Sequence, residues 1–572
     1  MIMRLFAFLR THLPFVVILA AFIGSGIFIA SRRITEQKPG VIEIRLGHWQ
    51  LEAGVRDGIN IMAAEYERLH PNVKILQQAI PESTYQQWVS TQLIGGTAPD
   101  IIQAGNMPPN LLLAFYIRYF LPITSFVAEP NPYNEGTDLE GVPLQQTYKD
   151  SMRSSYVEVL QEFMSIPLSQ FGFRIFYNKN LLKKLTGRLE APTDYREFLA
   201  ICKEIRNHRN ASGQPYVPIA SSQYHFRTWE WRLFDPITYS ALRKTDFSRD
   251  GTLGRDELFA AIKAGLIDFQ HPAYQAKLRM VRDLTENFQT GYTGLTRDEA
   301  VFLFAQERAV FMPIGTFEAR TLFQQAEGQF EIGVMDFPWP RRDDPEYGPL
   351  IEGPPYEEVR TAFNFAVTRF SKHPEVALDF LRFMASRKNN EELNKIIGWI
   401  PAIKGAKVDP ALAAFEPKFR GIYSAWDISL GGGTIIKWEQ LYTLYQVGQI
   451  SLEQMLKEFD QFYRSHGEKD YFEQRRDWRR KLITDEQFVE SFAAKARMAG
   501  TSGDAQALWQ KYSALVASRQ ARPEIDSARQ ERRIKDPGSV GQYGPMEYTP
   551  EALKHAKEQA RELATQSGGT GL

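Results

Sequence analysis

The amino-acid sequence predicts an α/β fold, and three features between Val41 and Asn106 carry that prediction. Apolar and polar residues alternate from Val41 to Trp49, which is the pattern of a half-buried strand. Apolar residues then recur at helical spacing and stop before Pro71, and a second strand pattern follows at Val73–Leu76. A strand, a crossover helix and a parallel strand form a right-handed unit, so a parallel sheet flanked by helices is indicated.

Each of these elements has its own periodicity. The residues that share one side of the first strand are Ile42, Ile44, Leu46 and His48. The apolar stripe of the helix comprises Ile59, Met62, Ala63, Tyr66 and Leu69. The segment Gly95–Ile102 then marks a turn that leads into a third strand.

Polar and aromatic side chains follow the first and third strands. The segment Trp49–Glu52 comes directly after the first strand, and Gln103–Asn106 comes after the third. Ligands on α/β sheets bind beyond the carboxyl ends of the strands. An aromatic face beside amide and carboxyl groups suits a polyhydroxylated ligand, so the sequence predicts a binding crevice rather than a catalytic one.

Composition limits the possible functions. With 572 residues, of which 43% are hydrophobic and 13% aromatic, the chain is long enough for two lobes with appended segments. The 68 basic and 68 acidic residues cancel, which disfavours nucleic acid as a partner. The single cysteine, Cys202, excludes intramolecular disulfides and is expected to fill the core of a helical segment.

The stretch Leu13–Ala30 is apolar and free of charge, with arginines on both sides. At about 1.5 Å per residue it just crosses a hydrocarbon core of roughly 30 Å. A cleaved signal peptide is the alternative, because Gly24, Ser25 and Gly26 offer small residues at suitable spacing. We expect residues 1–33 to form an uncleaved membrane anchor.

Two extended runs, Phe171–Asn178 and Phe363–Val367, are expected to be crossings between lobes.

Six short sequence segments follow one another along the chain in an order that is typical of one protein family. They are Tyr66–Glu67 with Pro71–Lys74, Gly95–Ile102, Phe176–Lys179, Phe304–Phe311 with Gly315, Pro374–Phe383 and Gly398–Ala402. This ordered set resembles the bacterial extracellular solute-binding proteins of the carbohydrate class, which include the maltodextrin-binding proteins, and it covers residues 42–458.

The resemblance implies a two-lobed periplasmic-binding-protein fold whose lobes close around a ligand by hinge motion. The implied boundaries are residues 41–170 and 311–365 for the first lobe and its return, and 171–310 and 366–465 for the second lobe and its return. Residues 466–572 form a helical C-terminal extension, in which Thr484–Gln487 predicts the start of a helix that ends near Met498. We expect these helices to pack on the second lobe, and a docking surface for a partner is the alternative.

Sugar rings present apolar faces and a belt of hydroxyl groups, so the clefts of this family combine aromatic platforms with amides and carboxylates. The positions that match the family's cleft pattern are Trp49, Gln50, Glu52, Gln103, Asn106, Gln170, Phe171, Trp229, Trp231, Phe317 and Trp438. For each tryptophan, a place in the hydrophobic core is the alternative. Phe317 replaces the tryptophan common at its position and Phe171 stands near where a carboxylate often occurs, which counts against maltodextrin as the ligand.

The segment Asp246–Glu257 has the spacing of an EF-hand calcium loop. The residues at loop positions one, three, five and twelve are Asp246, Ser248, Asp250 and Glu257, and Gly251 is at position six. A polar helical hairpin without calcium is the alternative. A calcium ion bound here would be structural.

The sequence contains none of the common signatures of metalloproteases, α/β-hydrolases or phosphate-binding loops, so we predict a binding protein that is not an enzyme and requires no cofactor. The resemblance implies the solute-binding subunit of an ABC importer, which passes a carbohydrate to permease subunits. It would be a monomer held at the inner membrane by its N-terminal helix, with the lobes on the periplasmic side. The alternatives are a membrane-tethered carbohydrate receptor that signals to a partner and a carbohydrate-active enzyme.

Overall fold

The computed structural model describes residues 40–52, 54–108, 111–158, 160–246, 254–357, 360–418, 421–422, 431–501, 503 and 505–516. The strands of this described part are β1 (Ile42–His48), β2 (Val73–Ala79), β3 (Ile101–Gln103), β4 (Tyr156–Val157), β5 (Glu162–Phe163), β6 (Ile166–Phe171), β7 (Phe173–Asn178), β8 (Val217–Ile219), β9 (Ala309–Gly315), β10 (Ile332–Met335), β11 (Arg360–Val367) and β12 (Ile400–Pro401).

The α-helices connect and cover these strands. They are α1 (Val55–Leu69), α2 (Glu82–Gly95), α3 (Leu112–Tyr119), α4 (Thr124–Val127), α5 (Leu144–Thr147), α6 (Lys179–Thr186), α7 (Tyr195–Asn207), α8 (Gln223–Leu233), α9 (Asp235–Thr245), α10 (Arg255–Lys263), α11 (Pro272–Thr285), α12 (Arg297–Ala305), α13 (Ala319–Ala326), α14 (Pro374–Met384), α15 (Arg387–Ile397), α16 (Gly432–Gln446) and α17 (Leu452–Met498). Residues 505–516 are also helical.

The described residues fall into two compact units. The first contains those of Met1–Leu51, Arg56–Leu121 and Ala366–Phe383. The second contains those of Glu52–Val55, Pro122–Phe365 and Met384–Leu572.

In the first unit β1 lies between β2 and β3 and is parallel to both, which confirms the α/β arrangement predicted from the sequence. Ile44 and Leu46 of β1 are fully buried. Asp100, which immediately precedes β3, fixes the start of this strand, because its carboxylate accepts hydrogen bonds from the Arg45 backbone N–H (2.9 Å) and the Ser371 hydroxyl (2.7 Å). The carboxyl ends of β1 and β3 are therefore held in register.

The second unit contains two sets of paired strands. In one set β6 lies between β12 and β11, and in the other the order is β10–β7–β9–β8. The chain passes from the first set to the second at Gly172, between β6 and β7. The crossings between lobes expected at Phe171–Asn178 and Phe363–Val367 stay predictions. The sequence assigns residues 311–365 to the return to the first lobe, whereas β9 and β10 both pair with β7.

Arg174 anchors the start of β7 just after this crossing. Its side chain is 4% exposed and forms a two-pronged ion pair with Glu357, with distances of 3.1 and 3.0 Å. Its Nε also donates to the Ala414 carbonyl (2.6 Å) and lies 2.9 Å from an Asp336 oxygen. Since a guanidinium carries five donors in a rigid fork, one buried arginine connects three segments to β7.

Helix α11 joins two hydrophobic cores of the second unit. Its residues Met280 and Leu284 pack with the core of β7 and β9. Tyr274 and Leu278 of the same helix lie in a second core with α10, α16 and the first turns of α17. The first part of the C-terminal extension therefore continues a core that the helices of the second unit begin.

Helix α17 runs without interruption from Leu452 to Met498. The helix start predicted at Thr484 is wrong, because that sequence lies inside the longer helix, but the end near Met498 is confirmed. The membrane anchor expected at residues 1–33 lies outside the described residues. In the described part of the chain, no helix combines the length and the apolar character that crossing a membrane requires.

Candidate ligand-binding site

Trp49, Tyr85 and Gln103 form a group in the first unit that we call the Trp49 group. The backbone N–H of Trp49 donates to Gln103 Oε1 (3.3 Å), and the Tyr85 hydroxyl donates to the Gln103 carbonyl (2.8 Å). The Trp49 and Tyr85 ring centroids are 4.9 Å apart. The structure thus brings together two residues that the sequence predicts for the site, Trp49 after β1 and Gln103 at the end of β3.

The turn after β3 fits closely under Trp49. Gly105 has a φ of +119°, and a Cβ added there would lie 2.9 Å from the Trp49 ring, so both the backbone and the ring require glycine. Asn106 is exposed, has a positive φ, and its side-chain amide donates to the Glu82 carbonyl (3.4 Å). Gln50 is 9% exposed, so most of its surface is already buried.

His48, the residue before Trp49, is fully buried at the end of β1. Its Nε2 lies 2.7 Å from Gln77 Oε1. Burial lowers the pKa of His48 to about 4, because removing the charged imidazolium from water is unfavourable. The histidine is therefore neutral at physiological pH and supports the Trp49 group as an uncharged hydrogen-bonding residue.

A second group, in the second unit, is centred on Arg297 and is called the Arg297 cluster: Glu52, Tyr224, Arg297, Phe317 and Glu318. Arg297 Nε is 2.9 Å from Glu318 Oε1, and Nη2 is 3.5 Å from Glu52 Oε1. The side chains of Glu318, Glu52 and Arg297 are 6%, 14% and 25% exposed. The ion pairs are therefore only partly screened by solvent.

Aromatic rings surround the guanidinium of this cluster. Arg297 Cζ lies 5.8 Å from the ring centroids of both Tyr224 and Phe317, which is within the range of cation–π attraction. Phe317 also meets Phe171 and Phe173 edge to face, at 6.3 and 6.2 Å between centroids. The sequence-predicted residues Glu52, Phe171 and Phe317 thus belong to one continuous group with Arg297.

Local sequence explains how these side chains are presented. Thr296 caps helix α12, because its hydroxyl accepts from the Glu299 N–H (3.3 Å) and the Glu299 carboxylate accepts from the Thr296 N–H (2.8 Å). This reciprocal cap places Arg297 in the first turn. Gly315 ends β9, and a Cβ there would lie 2.3 Å from the Phe317 ring, so only glycine allows the ring to fold back over the strand end.

His225 lies beside the cluster at the start of α8. The residue is 3% exposed, and its Nδ1 is 2.9 Å from the Ser222 hydroxyl. Burial, reinforced by the positive charge of Arg297, lowers the pKa of His225 to about 4. Its Nε2 is buried and has no hydrogen-bond partner among the described residues, a state that calls for an ordered water.

Gln170, on β6, is fully buried, and neither atom of its side-chain amide has a hydrogen-bond partner within the described ranges. A buried amide in this state calls for a water or a ligand group. Trp229 and Trp231 belong to helix α8, but their side chains are not among the described parts of the structure.

Trp438 is 7% exposed and lies in a core of the second unit. Its ring stacks on Tyr442 at 5.9 Å and meets Phe459 edge to face at 4.8 Å. These contacts account for its burial and correspond to the core alternative considered for each tryptophan. A role of Trp438 in ligand binding stays a prediction.

The calcium loop is described only at its ends. Asp246 and Glu257 lie within the described residues, and Ser248 and Asp250 lie outside them. The Glu257 carboxylate accepts from the Gly254 N–H (3.0 Å) and closes the first turn of α10. Among the described residues no group of three or more His, Cys, Asp or Glu side chains is placed to hold a metal ion. Calcium binding stays a prediction.

Sequence reasoning missed four residues of this region, Tyr224, His225, Arg297 and Glu318, as candidates for the site. The Thr296–Glu299 capping signal could have placed Arg297 in a first helical turn. No sequence signal connects Arg297 with Glu52, because 245 positions separate them and only tertiary structure brings them together. The aromatic rings of this region can stack against a sugar ring, and its two carboxylates and guanidinium can bind the hydroxyl groups of the sugar.

Comparison with known proteins gives a consistent result. Residues 53–391 match the family described as bacterial extracellular solute-binding proteins. The chain is 20% identical over 353 residues to the multiple sugar-binding protein of Streptococcus mutans, covering 60% of this chain and 72% of that protein. It is 19% identical over 382 residues to an uncharacterized ABC transporter extracellular-binding protein of Pyrococcus horikoshii, covering 65% and 74%.

Among solved structures, the solute-binding protein RafE in complex with raffinose is similar to this chain, with a TM-score of 0.52 and 16% identity. The match covers 74% of this chain and 99% of RafE, a protein of Streptococcus pneumoniae. At this identity the likeness shows the fold, and it confirms the two-lobed α/β fold of solute-binding proteins predicted from the sequence.

The low pKa of His225 predicts a pH dependence of stability. Between its ordinary value of 6.5 and about 4, the unfolded chain binds a proton that the folded protein excludes. The stabilisation is therefore complete above pH 6.5 and is lost as the pH falls through this window, by about 1 kcal/mol per pH unit. Urea unfolding of the wild type and His225→Gln across the window should show a shallower pH slope for the variant. Equal slopes would contradict the assignment.

Proposed function

Because this chain belongs to the family of bacterial extracellular solute-binding proteins, we propose that it binds a sugar or oligosaccharide outside the cytoplasm and delivers it to the permease subunits of an ABC importer. The family is one of binding proteins, so the prediction that the chain is not an enzyme is confirmed. The proposal extends to a monomeric protein with its lobes on the periplasmic side of the inner membrane.

The observation that carries the sugar assignment is the Arg297 cluster. Its two aromatic rings, Tyr224 and Phe317, lie around one guanidinium that is paired with two carboxylates. Tyr224 is 44% exposed and Phe317 is half-buried, so both retain surface for a ligand. An apolar sugar face can cover such rings while its hydroxyl groups bond to the charged atoms.

Charge-assisted hydrogen bonds favour a hydroxylated ligand over a purely apolar one. A sugar hydroxyl both donates and accepts, so it can donate to Glu52 and accept from Arg297 at the same time. Relatives of this chain that are named for sugars support the same class of ligand.

We also propose, from the first unit by itself, that the Trp49 group contacts a sugar. Trp49 is half-buried and supported by Tyr85 and Gly105, so its ring is held in one orientation. A platform fixed in advance loses little conformational entropy when a ligand binds. We therefore expect Trp49, together with Gln103 and Asn106, to contribute to affinity.

A thermal-shift screen of the protein against mono- and oligosaccharides, with and without calcium, identifies the ligand, because binding to the native state raises the melting temperature. In calorimetry with the sugar found, Phe317→Ala should weaken binding about tenfold or more, since a buried phenylalanine contributes about 1.5–3 kcal/mol. The matched control is Phe302→Ala, because Phe302 is 58% exposed on α12. The Phe302→Ala variant should bind the sugar with wild-type affinity.

Two results would overturn this assignment. A protein that remains folded and shifts with no sugar would point to another solute or to the receptor function. If Phe317→Ala and Phe302→Ala lost the same affinity, the sugar would not bind at the Arg297 cluster.

Calcium should raise the melting temperature if the loop at Asp246–Glu257 binds it.

We further propose that residues 1–33 hold the protein at the inner membrane as an uncleaved helix. The support is the charge-free apolar run Leu13–Ala30, with Arg4 and Arg10 before it and Arg32 and Arg33 after it. The full chain should remain with the membrane fraction after alkaline carbonate extraction. Recovery in the soluble fraction, with an N-terminus created by cleavage near Gly26, would contradict this.

A further inference from the structure

The C-terminal helices connect two distant parts of the second unit. In its first half α17 is attached to α10: the Tyr471 and Phe259 rings stack at 4.0 Å with an interplanar angle of 2°, and the Tyr471 hydroxyl donates to Asp256 (2.5 Å). Lys263 and Glu468 form an ion pair at 3.1 Å beside this stack. The core that α10 shares with α11 connects this part of α17 to the sheet of β7 and β9.

The helix of residues 505–516 is attached to β5. Lys511 Nζ lies 2.8 Å from Glu162 Oε1 and donates to the Gln161 carbonyl (2.6 Å). The two side chains of this ion pair are 18% and 21% exposed, so solvent screens it only partly. Leu515 on the same helix is fully buried, which adds apolar contact to the ion pair.

The two C-terminal helices are also joined to each other. The Tyr512 hydroxyl donates to Glu490 on α17 (2.9 Å), and the Arg497 guanidinium lies 6.0 Å from the Trp509 ring centroid. Helix α17 has 47 residues and at about 1.5 Å per residue is about 70 Å long. A continuous chain of contacts therefore runs from α10 along α17 to β5. We call these two helices the brace.

The attachment at β5 matters because this strand leads almost directly into β6. Strand β5 ends at Phe163, and β6, which carries Gln170 and Phe171, begins at Ile166. Phe171 meets Phe317 of the Arg297 cluster edge to face. Phe317 follows β9, which lies in the other sheet, so the contact between these two rings depends on how the two sheets are held.

We infer that the brace positions β6 relative to the sheet of β7 and β9, and that Lys511 is a positioning residue for the ligand-binding aromatic rings. The covalent crossing at Gly172 is a single-residue link between the sheets, and single residues at strand ends are where hinge motion occurs. The brace is a further connection that bypasses this link, in addition to the contacts of Arg174. Breaking it should let the Phe171 and Phe317 rings separate more often and release ligand faster.

The test uses the full chain with Lys511→Met and Lys511→Arg. Hydrogen exchange of the ligand-free protein, followed by mass spectrometry, reports on the amides of β5 and β6. Lys511→Met should raise their exchange rate about fivefold, the effect of a partly exposed ion pair of about 1 kcal/mol. Lys511→Arg, which keeps both the charge and a donor for the Gln161 carbonyl, should retain slow exchange. Arg341→Met is the matched control, because the Arg341–Asp343 pair is 70% and 73% exposed.

The consequence for ligand release rests on the proposed function and is measured separately. By stopped-flow with the sugar found in the screen, the ligand should dissociate about fivefold faster from Lys511→Met, and Lys511→Arg should keep the wild-type rate. Unchanged exchange at β5 and β6 in folded Lys511→Met, or faster exchange throughout the chain, would overturn the brace. Local exchange that rises while no sugar binds would leave the brace standing and reject sugar binding.

Discussion

The guanidinium of Arg297 lies between the carboxylates of Glu52 and Glu318, and the candidate site depends on this arrangement. The three side chains come from the segment after β1, the first turn of α12 and the turn after β9. Without the guanidinium the two carboxylates would repel each other, and Tyr224 and Phe317 would lose the cation beside their rings. One charge therefore keeps both the acceptors and the apolar surfaces of the site in place.

Much of this arrangement could be predicted from local sequence. The alternation at Val41–Trp49 and the helix that ends before Pro71 predict parallel strands, and β1, β2 and β3 are indeed parallel. Because parallel strands end at one edge of a sheet, the same pattern predicts that Trp49 and Gln103 lie together, and a hydrogen bond of 3.3 Å joins them. Period and strand direction are local properties, which is why a single sequence was sufficient here.

The remaining features depend on contacts that a sequence pattern does not encode. The pairing of Arg297 with Glu52 arises only after folding, and so does the contact of Lys511 with Glu162. The capping signal at Thr484 failed because helix α17 continues through it, so the longer helix overrode a local preference. The pairing of β9 with β7 likewise reflects sheet order, which the phrases shared with the family did not specify.

Calorimetric titration of Arg297→Lys with the sugar found in the screen tests whether Arg297 organises the proposed sugar-binding site. Lysine keeps the positive charge but has no planar fork with which to pair two carboxylates. We expect Arg297→Lys to bind the sugar at least about tenfold more weakly than the wild type, which is about 1.4 kcal/mol, with a nearly unchanged melting temperature. Wild-type affinity in folded Arg297→Lys would contradict it.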